Sequence, residues 1–594
     1  MSKQSASCQK RRQRKGCKPR TTSRTTLTAP VARVGGGTLC SYTVGALPIL
    51  NKMLKEVRLE EFLKEYLPKE DGRTKLPTAK TLLVLLRNVL VSREPIYGVG
   101  EWAARHAPDL LGLSPQDVQR LNDDRVGRAL DRLFLADVPS LVLAVAGHVV
   151  RTFQISLDEL HNDSTSIAFF GAYRRADEEK RHLGRPTLAI TFGHSKDHRP
   201  DLKQLLYILT VTRDGGVPIH FRAQSGNVTD DTTHRDTWDL LCQLAGRRDF
   251  LYVADSKLAT SDNMRHIACH GGRFVSVLPR TRAEDAVFRT QIREGQVVWE
   301  PIWDKQDEEG QLLDRFSVCP ESTVTAEGFR LVWYHSTRKA ELDAAARAHK
   351  IDRALRRLGQ LNQRMASPRT RYRQADKVRK AVEDALRECD MEGWIQVEIL
   401  PHEEETYRQA KPGRPGKDTR YVRQVKTRLE LRYEIDIARV SEASTTDGVF
   451  PLVSNVTDLS PRELLFAYKR QPTIEKRFSQ LKTDFAVAPV YLKEVRRIQA
   501  LLCVYFFALL IEALLERELR RAMQREEIEW LPMYPEGRPC RWPTTRRLID
   551  LFESVQRHVL TQGKRPPQLT VTELSHLQRK LLTLLALPAT NYGH

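Results

Sequence analysis

Apolar residues recur at spacings of three and four over 47–67, 78–91 and 122–134, as in helices with one buried face. Asn122 or Asp123 stands where the third helix would be capped. Val126, Ala129, Leu130 and Leu133 would then point inward, and Arg125, Arg128 and Arg132 outward. After residue 151 the period shortens to two, and 155–160, 187–192, 205–212, 217–222 and 250–254 read as strands. Asp214, Gly215 and Gly216 mark a hairpin turn between the third and fourth. The pattern stays strand-like over 285–335, around Trp299, Trp303 and Trp333. It becomes helical and charged over 338–390, with a break at Ser367 and Pro368, and returns to strands over 393–441. Ser460 and Glu463 form a capping box that opens a helix leading to Tyr468. A long helix or helix pair follows over 489–523, and two amphipathic helices over 545–587. Within the former, the apolar run 501–511 ends against Glu512, so it predicts a core helix and is too short for a membrane span.

Charge narrows the picture. A chain of 594 residues has room for roughly two to four domains. Its formal charge of +21 and pI near 9.6 predict a polyanionic partner, nucleic acid first and an anionic membrane as the alternative. Residues 1–37 contain no acidic residue and read as a disordered basic tail, either sliding on DNA or serving as an inert leader. Arginines along short N-terminal helices suit a helix-turn-helix-like reader of DNA ends, although packing alone accounts for the same pattern. Nine dispersed cysteines without a Cys-x-x-Cys pair argue against a zinc ribbon or disulfide framework and fit a reducing cytosol. No apolar stretch closely follows the basic N-terminus, so no secretory signal is expected.

Candidate chemistry gathers at three acids. Glu475 lies in the basic run 468–482, where Pro472 suits a first helical turn and Ile474, Phe478, Leu481 and Phe485 form a buried stripe. Lys482 is two turns on, which puts it on one face with Glu475. Such an acid suits a metal held against a phosphate, while a solvated helix with an ordinary ion pair is the plainer reading. Asp255 closes the apolar run 250–254, with Asn263 downstream, and Asp163 follows the strand at 155–160. Strand ends are where α/β scaffolds present functional side chains, though a single strand-end aspartate is more often a turn former. Asp158 and Glu159 rival Asp163, which Thr165 and the apolar Phe169 and Phe170 favour. The Gly413-Arg414-Pro415 sequence reads as a minor-groove hook or a flexible turn.

As a set these residues resemble the DDE transposases of bacterial insertion sequences, in the group with a Tyr-x2-Arg-x3-Glu-x6-Lys signature. Tyr468, Glu475 and Lys482 fall on that spacing, while Gln471 stands at the Arg position with Arg470 one residue earlier. Segments 193–204 and 447–455, and Ser225, Gly226 and Asn227 with Thr232, carry the resemblance further, over roughly 40–520. It implies an α/β fold: a ribonuclease-H-like catalytic core interrupted by a large mixed insertion, with helical N- and C-terminal regions. The division expected is a basic tail 1–37, a helical DNA-binding domain 38–150, core segments 151–280 and 446–525, an inserted α/β subdomain 281–445, and a helical C-terminal region 526–594.

The resemblance also implies two Mg2+ ions, with Mn2+ as a substitute, Asp163 bridging both and Asp255 and Glu475 each anchoring one. Tyr468, Arg470, Lys482, Lys196 and Arg199 are expected on DNA phosphates. The implied partners are double-stranded DNA, as terminal repeats and as target, and further copies of the chain in a DNA-bound complex, with no membrane. The implied reaction is cleavage at the element's ends and joining of the freed 3′-OH to target DNA, in the bacterial cytoplasm at the nucleoid. A metal-dependent nuclease without joining, or an inactive DNA-binding relic, are the alternatives.

Overall fold

The computed structural model describes every residue except 1–30, 35–36, 175–177, 179–180, 308, 368, 486–491, 564 and 594. Most of the expected basic tail therefore lies outside the described residues, as does Pro368. The chain forms two compact units, Met1–Arg247 with Pro472–His594, and Arg248–Gln471.

In the first unit the expected N-terminal helices form as Leu47–Glu56, Leu59–Tyr66, Thr78–Val91 and Asp123–Leu135. Asn122 caps the last, its Oδ1 accepting from the Arg125 amide at 2.8 Å. Its inward residues Val126, Ala129, Leu130 and Leu133 are buried. The expected outward arginine row is split. Arg125 donates to the Leu76 carbonyl and Thr78 hydroxyl, and Arg132 to the Pro68 and Lys69 carbonyls. Only Arg128 of the three is exposed, so two of these guanidiniums fasten the 68–78 segment that leads into helix Thr78–Val91.

Helix Val495–Arg525 runs through this unit, packing on Thr78–Val91, Asp123–Leu135 and strand Pro218–Ser225. The apolar run at 501–511 was expected to be too short for a bilayer, yet the 31-residue helix that contains it is long and apolar enough. Its most apolar window is 94% buried inside the protein, which makes it a core helix.

Strands Glu159–Phe169, Lys203–Thr212 and Pro218–Ser225 form an antiparallel meander in this unit. The first differs from the expected 155–160: it begins at Glu159, and Asp163 lies within it, opposite Leu209. Segment 187–192 forms no strand, only a single bridge from Thr191 to Gln204. Strand Lys203–Thr212 already has a partner along each edge, so that segment finds no free ladder. The expected turn holds, with Gly215 and Gly216 at φ of +79° and +59°.

The C-terminal region is not purely helical. Between helices Thr545–Phe552 and His576–Leu584 a hairpin, Gln556–Thr561 and Gln568–Val571, pairs with the N-terminal strand Gly37–Thr43. That strand also pairs with Val31–Val34, so the expected tail boundary at residue 37 falls inside a sheet.

The second unit carries strands in the spatial order Glu300–Gln306, Leu312–Val318, Arg330–Ser336, Val449–Ser454, Arg273–Val277 and Leu251–Ala254. The last two run parallel and the other pairs antiparallel. The expected helical hairpin forms as Thr337–Ala366 and Ala375–Arg387. It seats the root of a ribbon of two 15-residue strands, Ile395–Gln409 and Tyr421–Ile435. Ile395, Val397, Ile399, Leu431 and Tyr433 share one ribbon face by the strand period and pack on Leu358, Leu361 and Val382. Beyond that root the ribbon is mostly exposed, including Tyr407, Tyr421, Val422 and Val425. The architecture is mixed α/β in both units.

Candidate functional site

The strand period puts Asp163 and Thr165 on the face of the meander that also carries Ile167 and Phe169. Ile167 and Phe169 join Leu205, Tyr207 and Leu209 in a core with Ile474, Phe478, Leu481 and Phe485, the stripe expected from the sequence. Helix Pro472–Ser479 thus packs against the strand that bears Asp163, with Glu475 in its first turn. The Glu475 carboxylate is exposed and forms no ion pair among the described residues. The α-helix stops at Ser479, and Gln480–Asp484 is a π-helical turn. Glu475 and Lys482 therefore do not share the continuous α-helical face that the spacing suggested.

The loop at 193–202 connects these two elements. The Lys196 ammonium donates to Asp163 Oδ1 at 3.0 Å and to the Ser164 carbonyl at 2.8 Å, and it lies 2.9 Å from Asp230 Oδ2. Ser164 Oγ donates to Asp230 Oδ1 at 2.7 Å. One residue on, Asp197 accepts from Lys482 at 2.6 Å. Arg199 is held in a bidentate pair with Asp201, both bonds 2.8 Å. Lys196, Lys482 and Arg199, all expected on phosphates, thus each meet a carboxylate here. Of the rival acids, Asp158 precedes the strand, is exposed and pairs with Arg247. Glu159 is buried beside His161 at 2.9 Å.

Beneath Glu475 lies a buried ionic cluster that the sequence reading missed. Arg477 is 1% exposed and donates to the Gly215 and Gly216 carbonyls at 2.9 Å each. It also reaches Gln480 at 2.7 Å and the fully buried Glu516 at 3.0 Å. Lys476 bonds the same Glu516 oxygen at 2.8 Å. Burial pushes the Glu516 carboxyl up, but the Arg477 and Lys476 charges outweigh it and hold the group below its usual range. Glu512, one turn earlier, feels the same two cations too weakly to offset its burial, and burial with the Glu516 charge pushes it up to about 8. Two acids spaced i and i+4, the first directly after the apolar run 501–511, were the available signal.

The second unit presents Asp255 directly after strand Leu251–Ala254. Its Oδ1 accepts from the Lys257 amide at 3.0 Å, and its carbonyl from Ser276 Oγ at 2.6 Å. Asn263 is buried at the start of the next helix, which Thr260 caps. The capping box at Ser460 and Glu463 opens helix Pro461–Lys469 as expected, with Tyr468 in its last turn and Arg470 at its C-cap. Tyr468 packs against the core that includes Leu464, Leu465 and Phe450. Gln471 is buried, and its Oε1 accepts no hydrogen bond among the described residues. Among the described residues no three His, Cys, Asp or Glu side chains gather within metal-holding reach.

The model of the transposase DDE domain family matches residues 160–511. The chain belongs to that family. The resemblance drawn from its motifs thereby stands, and the match takes in Asp163, Asp255 and Glu475. Residues 40–147 match a domain of unknown function (DUF4277), over the N-terminal helices. No curated protein matches the chain. Among solved structures, a cryo-EM structure of the piggyBac transposase synaptic complex with hairpin DNA is similar over 49% of this chain and 59% of that chain, at 11% identity and a TM-score of 0.23. At that score the likeness establishes neither a shared fold nor a shared activity.

Proposed function

We propose that this transposase binds the ends of its own insertion sequence, cleaves DNA there and joins the freed 3′-OH to target DNA. Membership of the DDE family over 160–511 carries the reading. A ribonuclease-H-like core, with Asp163, Asp255 and Glu475 as its three carboxylates, is part of the proposal. In cleavage, water adds to phosphorus and the 3′-oxygen of the element leaves with a proton. In joining, that 3′-OH displaces a target 3′-oxygen, so one phosphodiester forms as another breaks and no external energy source is needed. Bound divalent metal would supply charge stabilisation on phosphorus and a more acidic water. The oxygen atoms that converge at Lys196, from Asp163, Asp230 and the Ser164 carbonyl, are hard donors of the kind Mg2+ or Mn2+ accepts.

Double-stranded DNA as partner is supported by the net charge of +21 and by the exposed ribbon. Residues 406–428 hold eight Lys or Arg and one acid, and a two-stranded ribbon fits a major groove. Self-association on paired ends, and action in the bacterial cytoplasm, complete the proposal. The test is joining of a pre-cut terminal repeat into plasmid with Mg2+, comparing the wild type with Glu475→Gln. Joining that the substitution abolishes while DNA binding persists supports the reading. Cutting without joining indicates a nuclease, and binding with neither reaction indicates a relic. Undiminished joining by Glu475→Gln removes Glu475 from the site.

A further inference from the structure

The ammonium of Lys196 has three protons, and three oxygen atoms from Asp163, Ser164 and Asp230 stand within 2.8 to 3.0 Å of it. This is a built position: the three charged side chains are between 14% and 27% exposed, and Ser164 Oγ fixes the second Asp230 oxygen. Burial depresses His234 to about 4 despite Asp230 and Asp231, which leaves it neutral near pH 7. The loop holds Lys196 by its backbone as well, its amide donating to Ser166 Oγ at 3.2 Å.

We propose that Lys196 is a built-in counter-cation that competes with divalent metal for Asp163, and that Asp230 is the positioning residue that retains Lys196 when metal takes its place. This rests on the reading of Asp163 as a metal ligand. The physical basis is charge. A carboxylate whose oxygen faces an ammonium at 3.0 Å is already neutralised, and a dication brought to the same oxygen is repelled by that ammonium. Asp230 offers Lys196 a second anchor 2.9 Å away, so the ammonium can give up Asp163 without leaving the site or entering solvent unpaired. Without metal, the same contacts hold the Asp163 strand to the 193–202 loop and stop two carboxylates from repelling each other.

The two residues are therefore expected to shift metal affinity in opposite directions, which a merely structural role would not do. Mn2+ binding to the full chain without DNA, followed by electron paramagnetic resonance, reads this directly. Lys196→Met is expected to bind Mn2+ more tightly by about tenfold or more, about 1.4 kcal/mol. Lys196→Arg, which keeps the charge, should stay near the wild type. Asp230→Asn removes the second carboxylate that holds Lys196 and should weaken binding several-fold, an effect that shrinks in the Lys196→Met background. Lys196→Met with unchanged or weaker binding overturns the proposal, while loss of binding in Asp163→Asn keeps the ligand reading intact. Undiminished binding by Asp163→Asn overturns the ligand reading itself and the proposal with it. Melting temperatures of the variants show whether each has folded.

Discussion

Replacing Arg477 by Met should loosen the helix that carries Glu475 without touching Glu475. The guanidinium is 1% exposed and bonds two backbone carbonyls, Gln480 and Glu516. Removing it strands a carboxylate whose side chain is 0% exposed. Breaking a buried pair by deleting one partner costs about 3–5 kcal/mol. Lys476 still reaches Glu516 at 2.8 Å, so the lower end applies, about 3 kcal/mol. At roughly 1.4 kcal/mol per factor of ten, local opening should become about 100-fold more frequent. Hydrogen exchange of full-length protein, read by mass spectrometry in peptides spanning 472–485 and 212–218, measures this locally. A local probe is needed because a two-unit chain need not unfold in one step. The double variant Arg477→Met with Glu516→Leu should recover much of the loss, since the buried carboxylate is gone and Lys476, 37% exposed, can turn to solvent. Exchange within threefold of the wild type in the single variant would refute the reasoning.

Glu512 supplies a pH test. Its folded carboxyl, pushed up to about 8 against an ordinary 4.5, keeps a proton that the unfolded chain releases. Its contribution to stability is therefore complete below about pH 4.5 and is lost as pH rises through about 8. Thermal melts from pH 5 to 8.5 should fall less steeply for Glu512→Gln than for the wild type, by up to about 1.4 kcal/mol per pH unit, and parallel curves would count against burial as the cause. At the ribbon tip, replacing Lys411, Arg414 and Lys417 by Ser should reduce the slope of log DNA affinity against log salt by up to about 2–3, at roughly 0.9 per phosphate contact. Melting should not change, because these side chains are exposed and outside the apolar core at the ribbon root. An unchanged slope would remove the tip from the DNA surface.

Much of the candidate site was legible because it depended on local order. Pro472 at a helix start, the stripe from Ile474 to Phe485, the capping box at Ser460 and the Asp214–Gly216 turn are each set by neighbours within a few residues. The two glycines show how a local signal acquires a distant reason. A Cβ on Gly216 would stand 2.4 Å from Thr473 Cγ2, so the turn must stay bare to dock against the Glu475 helix. Where the sequence reading failed, the missing information was a partner. The strand bearing Asp163 extends to Phe169 because Lys203–Thr212 offers a full ladder, and 187–192 is left out because that ladder is filled. The polar alternation of Gln556–Thr561 gives little strand signal, and its pairing with Gly37–Thr43 lies more than 500 residues away in the chain.

By itself the sequence determined the family and the basic character, since ordered motifs and net charge need no coordinates. It also determined which helix faces are apolar, because that follows from a period of 3.6. Tertiary structure decided where the charges go. Arg125 and Arg132 turned from outward-facing groups into ties for the distant 68–78 segment, and Arg477 into the buried partner of Glu516. Lys196 came to stand between Asp163 and Asp230, which spacing along the chain does not reveal. The reason is physical: a charge is stabilised by whatever lies within a few ångströms, and for these residues that is chain from far along the sequence.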